Sequence, residues 1–196
     1  MKKILICGCG GVGSNTIKFI ADSVRQEQID LETHFFIADN DLIEEKNLKY
    51  QNFTIDDLGE NKAEVLAKRY RDEMVVNPLN KRIETEKDLE GYDLILSCVD
   101  NMETRKLIFE FCHKNNKDYL DFRSEGRMVM AFQKTNLKDD LETLDVTDKN
   151  SGSCQREYDT ERAIIQKSYL ISSAIAIQML LNYLRGEKNY KILMRI

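Results

Sequence analysis

Paired cysteines are missing from this sequence. Its five cysteines, Cys7, Cys9, Cys98, Cys112 and Cys154, are odd in number, and no two stand in CxxC spacing. That pattern gives no support to a structural zinc site or a disulfide framework, and it fits a reduced, cytoplasmic compartment. A basic excess is also lacking: 29 lysines and arginines stand against 34 acids, a formal net charge of -5. Surfaces built for phosphate backbones usually carry the opposite balance, so nucleic acid is not expected as the main partner. Long apolar runs are absent too. The opening "MKKILICGCG" meets glycine too soon to form a signal core. The most apolar stretch, "SYLISSAIAIQMLLNYL" (168–184), has 17 residues and is interrupted by Gln178 and Asn182. It falls short of the roughly 20 residues that cross a bilayer, and we read it as a helix buried in the core or in a subunit interface. No membrane partner is expected.

What remains is an alternation of apolar strands and amphipathic helices over 196 residues, enough for one domain with a continuous core. "KILICG" (3–8), "THFFIADND" (33–41) and "YDLILSCVDN" (92–101) read as buried strands. "SNTIKFIADSVRQ" (14–26), "NKAEVLAKRYRDEM" (61–74) and "METRKLIFEFCHKNN" (102–116) read as helices, and Asn77-Pro78, with the only proline, is expected to close off the second. After "DYLDFRSEG", the segment "RMVMAFQK" (127–134) has the alternation of an exposed antiparallel strand. A polar, acid-rich stretch (135–161) is expected to be a long flexible loop, of the kind that is functional or disordered. A C-terminal helix to about residue 186 and a strand-like "YKILMRI" close the chain. The fold class is α/β, Rossmann-like, with a mostly parallel sheet flanked by helices and an antiparallel extension. The core of the fold is expected over about 1–132.

"GCGGVGS" places Gly8, Gly10 and Gly13 in GxGxxG register directly after a strand and opening a helix. Such a loop allows a tight turn, close backbone approach to phosphate and helix–strand packing, and the helix start offers free N–H groups to anions. Asp39, 26 residues beyond Gly13 at the end of the second strand, suits a ribose diol. A nicotinamide enzyme would stop there and add a catalytic acid or base, but His34 and His113 read as surface or structural residues. Instead, "ADNDLIEEKNLKYQNF" continues with a second acid and a cluster of amides, a lysine and a tyrosine.

"GCGGVGS", "ADNDLIEEKNLKYQNF", "DLGENKAEV" and "LILSCVDNMETR" occur in the order and spacing of the ThiF/MoeB/HesA family, adenylating enzymes related to ubiquitin activation. The sequence resembles that family over about residues 3–132, and more loosely to 186. The resemblance implies that Asp39 binds the ribose of ATP, that Asn47 and Gln51 shape the triphosphate pocket, and that Lys62 contacts phosphates. Asp100 would hold Mg²⁺ with Asn101 alongside, and Gly8, Gly10, Gly11 and Gly13 would line the nucleotide. Asp41 is expected within this segment chiefly as a loop organiser. The chemistry agrees, because bringing a carboxylate onto an anionic α-phosphate requires cations at the triphosphate.

Two departures accompany the match. Tyr50 stands where the family pattern has an arginine, and no helix carrying an arginine precedes the first strand; Arg105, Arg123 and Arg127 are available to serve, or a partner supplies the group. Cys154, before the apolar helix, resembles the family cysteine that receives the acyl group, with Arg156 and Arg162 nearby to favour a thiolate. The other cysteines read as packing residues. The resemblance implies a homodimer acting on a ubiquitin-like or sulfur-carrier β-grasp protein. Alternatives are a peptide or RNA-base substrate, or a non-catalytic nucleotide-binding scaffold.

Overall fold

The computed structural model describes residues 1–144 and 165–196. The strands are β1 (Lys3–Cys7), β2 (His34–Ala38), β3 (Val75–Leu79), β4 (Leu94–Ser97), β5 (Asp118–Glu125), β6 (Met128–Gln133) and β7 (Ile192–Arg195). The helices are α1 (Gly11–Arg25), α2 (Lys62–Tyr70), α3 (Met102–Lys114), α4 (Leu137–Glu142) and α5 (Ser168–Leu184). One sheet runs in the order β3-β2-β1-β4-β5-β6-β7. Pairings from β3 through β5 are parallel, and those of β6 with β5 and β7 are antiparallel. The strand order reverses beside β1, which opens a crevice at the carboxyl ends of β1 and β4 where ligands of such sheets bind.

Period and burial agree in α1, whose Ile17, Ile20, Ala21 and Val24 face the core. Helix α5 is the buried apolar helix expected from its composition. It packs on α1, β5 and β6, and Ser173 Oγ donates to Val12 O at 2.9 Å. No helix among the described residues is long and apolar enough to cross a membrane.

Three expectations change. Pro78 does not close the second helix: that helix ends at Tyr70, and Pro78 lies inside β3, opposite Ile37. Because β3 pairs only with β2 among the described residues, at the sheet edge, the missing N–H of Pro78 interrupts no second ladder. Strand β6 is not exposed. Ala131 faces the core cluster shared with α1 and α5, Met130 and Phe132 face the one shared with α3, and both faces are covered. The polar stretch from 135 begins not as a loop but as α4, where Asn136 Oδ1 accepts from Asp139 N at 3.0 Å as an N-cap.

Candidate functional site

The glycine loop joins β1 to α1. Gly8 has φ of +91°, a conformation that favours glycine, and its N–H donates to Ala38 O at 2.9 Å. A Cβ on Gly8 would lie 2.9 Å from Cys98 O, and one on Gly13 would lie 1.9 Å from Gly8 O. These two glycines let the loop pass beneath β4 and let α1 close onto it. Gly10 differs, since a Cβ there meets no protein atom within 4 Å. Gly10 and Gly11 instead line a cavity of about 330 Å³ at the carboxyl ends of the strands. Gly13 is not among the lining residues; its part is helix packing.

The next wall comes from the end of β2. Asp39 Oδ2 accepts from Cys9 N at 2.6 Å and Oδ1 accepts from Asp41 N at 2.8 Å, so its carboxylate ties the glycine loop to the segment that follows. Burial pushes the Asp39 pKa up, while those amides and the Lys62 charge hold it down in part. Lys62, the first residue of α2, donates from Nζ to Asp41 Oδ2 at 2.8 Å. Burial alone would lower the Lys62 pKa, but the Asp41 and Asp39 carboxylates outweigh it and raise it. Asn61 fixes this corner: its Oδ1 caps α2 at Glu64 N, and its Nδ2 reaches Asp39 O at 3.0 Å, Asp41 O at 3.2 Å and Asn80 Oδ1 at 3.1 Å. The amide before "KA" is the sequence signal that could have identified this N-cap.

On the β4 side, Cys98, Val99, Asp100 and Asn101 line the cavity. Asn101 Oδ1 caps α3 by accepting from Thr104 N at 2.8 Å. Asp100 is exposed at the cavity wall, and its carboxylate accepts no hydrogen bond among the described residues. Three helix starts therefore bear on one cavity: Gly10 and Gly11 of α1, Lys62 of α2, and Asn101 of α3. Their dipoles, and the N–H groups that the Asn61 and Asn101 caps leave unpaired, favour an anion.

Gln51 and Tyr50 complete a further wall, and Gln51 Oε1 is buried without a hydrogen-bond partner. A buried carbonyl left unpaired costs about 1–3 kcal/mol, so this atom awaits a donor. Asn47 does not line the cavity. It caps the 3-10 turn Glu45–Lys49, its Oδ1 accepting from Glu44 N at 2.9 Å, and supports Gln51 by accepting its N–H at 2.8 Å.

None of the arginines considered as substitutes for the missing family arginines is among the residues lining the cavity. Arg105 and Arg123 are buried on Asp121; Arg105 also donates to Val99 O, and Arg123 Nη1 donates to Thr143 O at 2.7 Å. Arg127 is exposed in the turn between β5 and β6. The cations that do line the cavity beside Lys62 are Lys81 and Arg82, just past β3. No local pattern marks them; the sheet order brings them in by placing β3 next to β2.

Cys7, Cys9 and Cys112 are fully buried and Cys98 nearly so. Burial raises the Cys7 and Cys9 thiols well above their usual range and pushes Cys112 up to about 12, which removes thiolate character. Cys154, Arg156 and Arg162 lie outside the described residues. No cluster of three or more metal-ligating side chains occurs among the described residues. A magnesium ion needs no such cluster, because it commonly uses one or two carboxylates with phosphate oxygens and water, and Asp100 fits that mode.

The model of the ThiF family matches residues 1–195. A probable molybdopterin-synthase adenylyltransferase of Porphyra purpurea is 30% identical over 138 residues, which cover 64% of this chain and 34% of that protein. Ubiquitin-like modifier-activating enzyme 5 of Drosophila mojavensis is 30% identical over 138 residues, covering 61% and 33%. The chain spans about a third of the length of these relatives. The crystal structure of E. coli MccB with AMPCPP and MccA shares the fold at a TM-score of 0.73 and 20% identity, covering all of this chain and 60% of that one.

Proposed function

Because the chain belongs to the ThiF family, we propose that it is an ATP-dependent adenylyltransferase. Its substrate is the C-terminal carboxylate of a small ubiquitin-like or sulfur-carrier β-grasp protein. One observation carries the reading: a buried lysine, three helix starts and an unencumbered carboxylate border a single cavity at the strand-order reversal. That set neutralises a triphosphate, and hydride transfer has no use for it.

In this reading the α1 start and Lys62 hold the phosphates, Asp39 holds the ribose, and Gln51 Oε1 acquires the donor it lacks. A carboxylate oxygen of the carrier attacks the α-phosphorus, the bond from that phosphorus to the bridging oxygen breaks, and pyrophosphate leaves with the electron pair. Asp100 would hold Mg²⁺ with Asn101 beside it, and the ion would offset charge on the phosphates. Acyl transfer to Cys154 would follow, with the thiolate displacing AMP; this step rests on the sequence resemblance. We place the protein in the cytoplasm as a homodimer, and not on nucleic acid.

The relatives' printed names, a molybdopterin-synthase adenylyltransferase and a ubiquitin-like modifier-activating enzyme, support the carrier reading. A second reading, a substrate other than a carrier, draws on MccB, whose solved complex holds MccA with AMPCPP. Incubation with ATP, Mg²⁺ and a β-grasp protein, followed by mass spectrometry under non-reducing conditions, tests the proposal. An adenylated carrier, and a carrier–protein adduct that disappears in Cys154→Ala, are expected. ATP binding with no pyrophosphate exchange for any carboxylate would point to a scaffold instead.

A further inference from the structure

We propose that Arg82 is the residue that meets the base of the nucleotide, laying its guanidinium on the purine face. The inference rests on the nucleotide reading above and adds a residue that the family motifs do not include. Neighbouring strands lie about 4.8 Å apart, so the end of β3 sits roughly 10 Å from the glycine loop at β1, with β2 and Asp39 between them. Phosphates at the α1 start and a ribose at Asp39 leave the base to extend toward β3. The wall there is Lys81, Arg82 and Ile83. Ile83 is buried in the apolar cluster beneath the α3 face, and its carbonyl already accepts from Thr104 Oγ1 at 3.3 Å, so it adds one apolar residue to this wall.

Charge pairing singles out Arg82. Lys62 is held by Asp41 at 2.8 Å and Lys81 by Asp88 at 2.6 Å. Arg82 lines the cavity, is exposed, and has no ion pair or hydrogen bond to its side chain among the described residues. A guanidinium is planar and weakly hydrated and can lie flat on an aromatic face, whereas an ammonium meets that face only as a hydrated point charge.

Titration calorimetry of the full chain with Mg-ATP and with Mg-tripolyphosphate separates the outcomes. Arg82→Ala should weaken ATP binding roughly 3- to 30-fold, the range of a cation–π contact, and leave tripolyphosphate affinity unchanged. Arg82→Lys should recover only part of the ATP affinity, since it restores the charge without the planar face. Unchanged ATP affinity in Arg82→Ala overturns the proposal. So does an equal loss for tripolyphosphate, which marks a phosphate contact, or full rescue by lysine, which shows that a planar face is not what binds. Failure of the wild-type chain to bind ATP refutes the nucleotide reading itself, a result distinct from all of these. Arg82 is exposed and unpaired among the described residues, so neither substitution threatens the fold.

Discussion

The Lys62 ammonium lies 2.8 Å from the Asp41 carboxylate, pairing a side chain 7% exposed with one 63% exposed. The asymmetry has consequences. Removing Lys62 leaves an acid that water can solvate, whereas removing Asp41 leaves a cation that water reaches poorly. Lys62→Met should therefore keep the fold while lowering adenylation by about 10²–10³-fold, the effect of losing one electrostatic stabiliser. Asp41→Asn should destabilise by about 1–3 kcal/mol, between the values of exposed and buried pairs. Pyrophosphate-exchange rates and urea denaturation of the two variants check this.

The same pair sets an alkaline dependence. Its partners raise the Lys62 pKa in the folded state, so the stability contributed is fully present below the unfolded lysine value of about 10.4 and is lost as pH rises through the folded one. The stability difference between wild type and Lys62→Met should hold constant from about pH 6 to 9 and shift toward the variant only beyond roughly pH 10.5. A drift across neutral pH in denaturant titrations would contradict the assignment.

Asp121 is fully buried between Arg105 and Arg123. Burial pushes its pKa up, but the two guanidinium groups outweigh that and lower it. Its contribution is present above the unfolded carboxylate value of about 3.9 and is lost as pH falls through the lower folded value. Asp121→Ala should cost about 3–5 kcal/mol, because two arginines are left buried without a counter-charge. Arg105 also holds Val99 O, next to Asp100, so Arg105→Lys should loosen the proposed metal side of the cavity and raise the Mg²⁺ concentration needed for half-maximal activity. An unchanged Mg²⁺ requirement would separate this network from the site.

The glycines divide into two kinds. Gly13→Ala would drive a Cβ against Gly8 O and should destabilise by roughly 1–3 kcal/mol or more. Gly10→Ala meets no protein atom within 4 Å, so its melting temperature should match the wild type while nucleotide affinity falls about tenfold or more through the filled cradle. Thermal unfolding with and without ATP distinguishes the two substitutions.

How much of this the sequence discloses depends on the range of the interaction. The strand–glycine–helix unit and α5 follow from local periodicity and composition. Strand β3 does not, because Pro78 reads as a breaker until the edge position makes its missing N–H harmless. Alternation in β6 assigns alternate faces, yet only the packing of α5 and α3 shows that both are covered. In the site, most motif residues that reach the cavity are at strand ends and helix starts, with Gln51 joining them from the segment after the 3-10 turn, whereas Gly13 and Asn47 act one layer behind. Arg105 and Arg123 looked like spare cations; the i, i+2 spacing of Asp121 and Arg123 on one strand was the available sign of a buried pair. Lys81 and Arg82 left no local sign, because their place depends on the order of strands.

We propose that this cavity holds a triphosphate rather than a nicotinamide dinucleotide. Calorimetric titration of the full chain with Mg-ATP and, separately, with NADH measures it most directly. We predict saturable Mg-ATP binding, weakened roughly tenfold or more in Lys62→Met, and no uptake of NADH. Binding of NADH with no response to Mg-ATP would contradict the account.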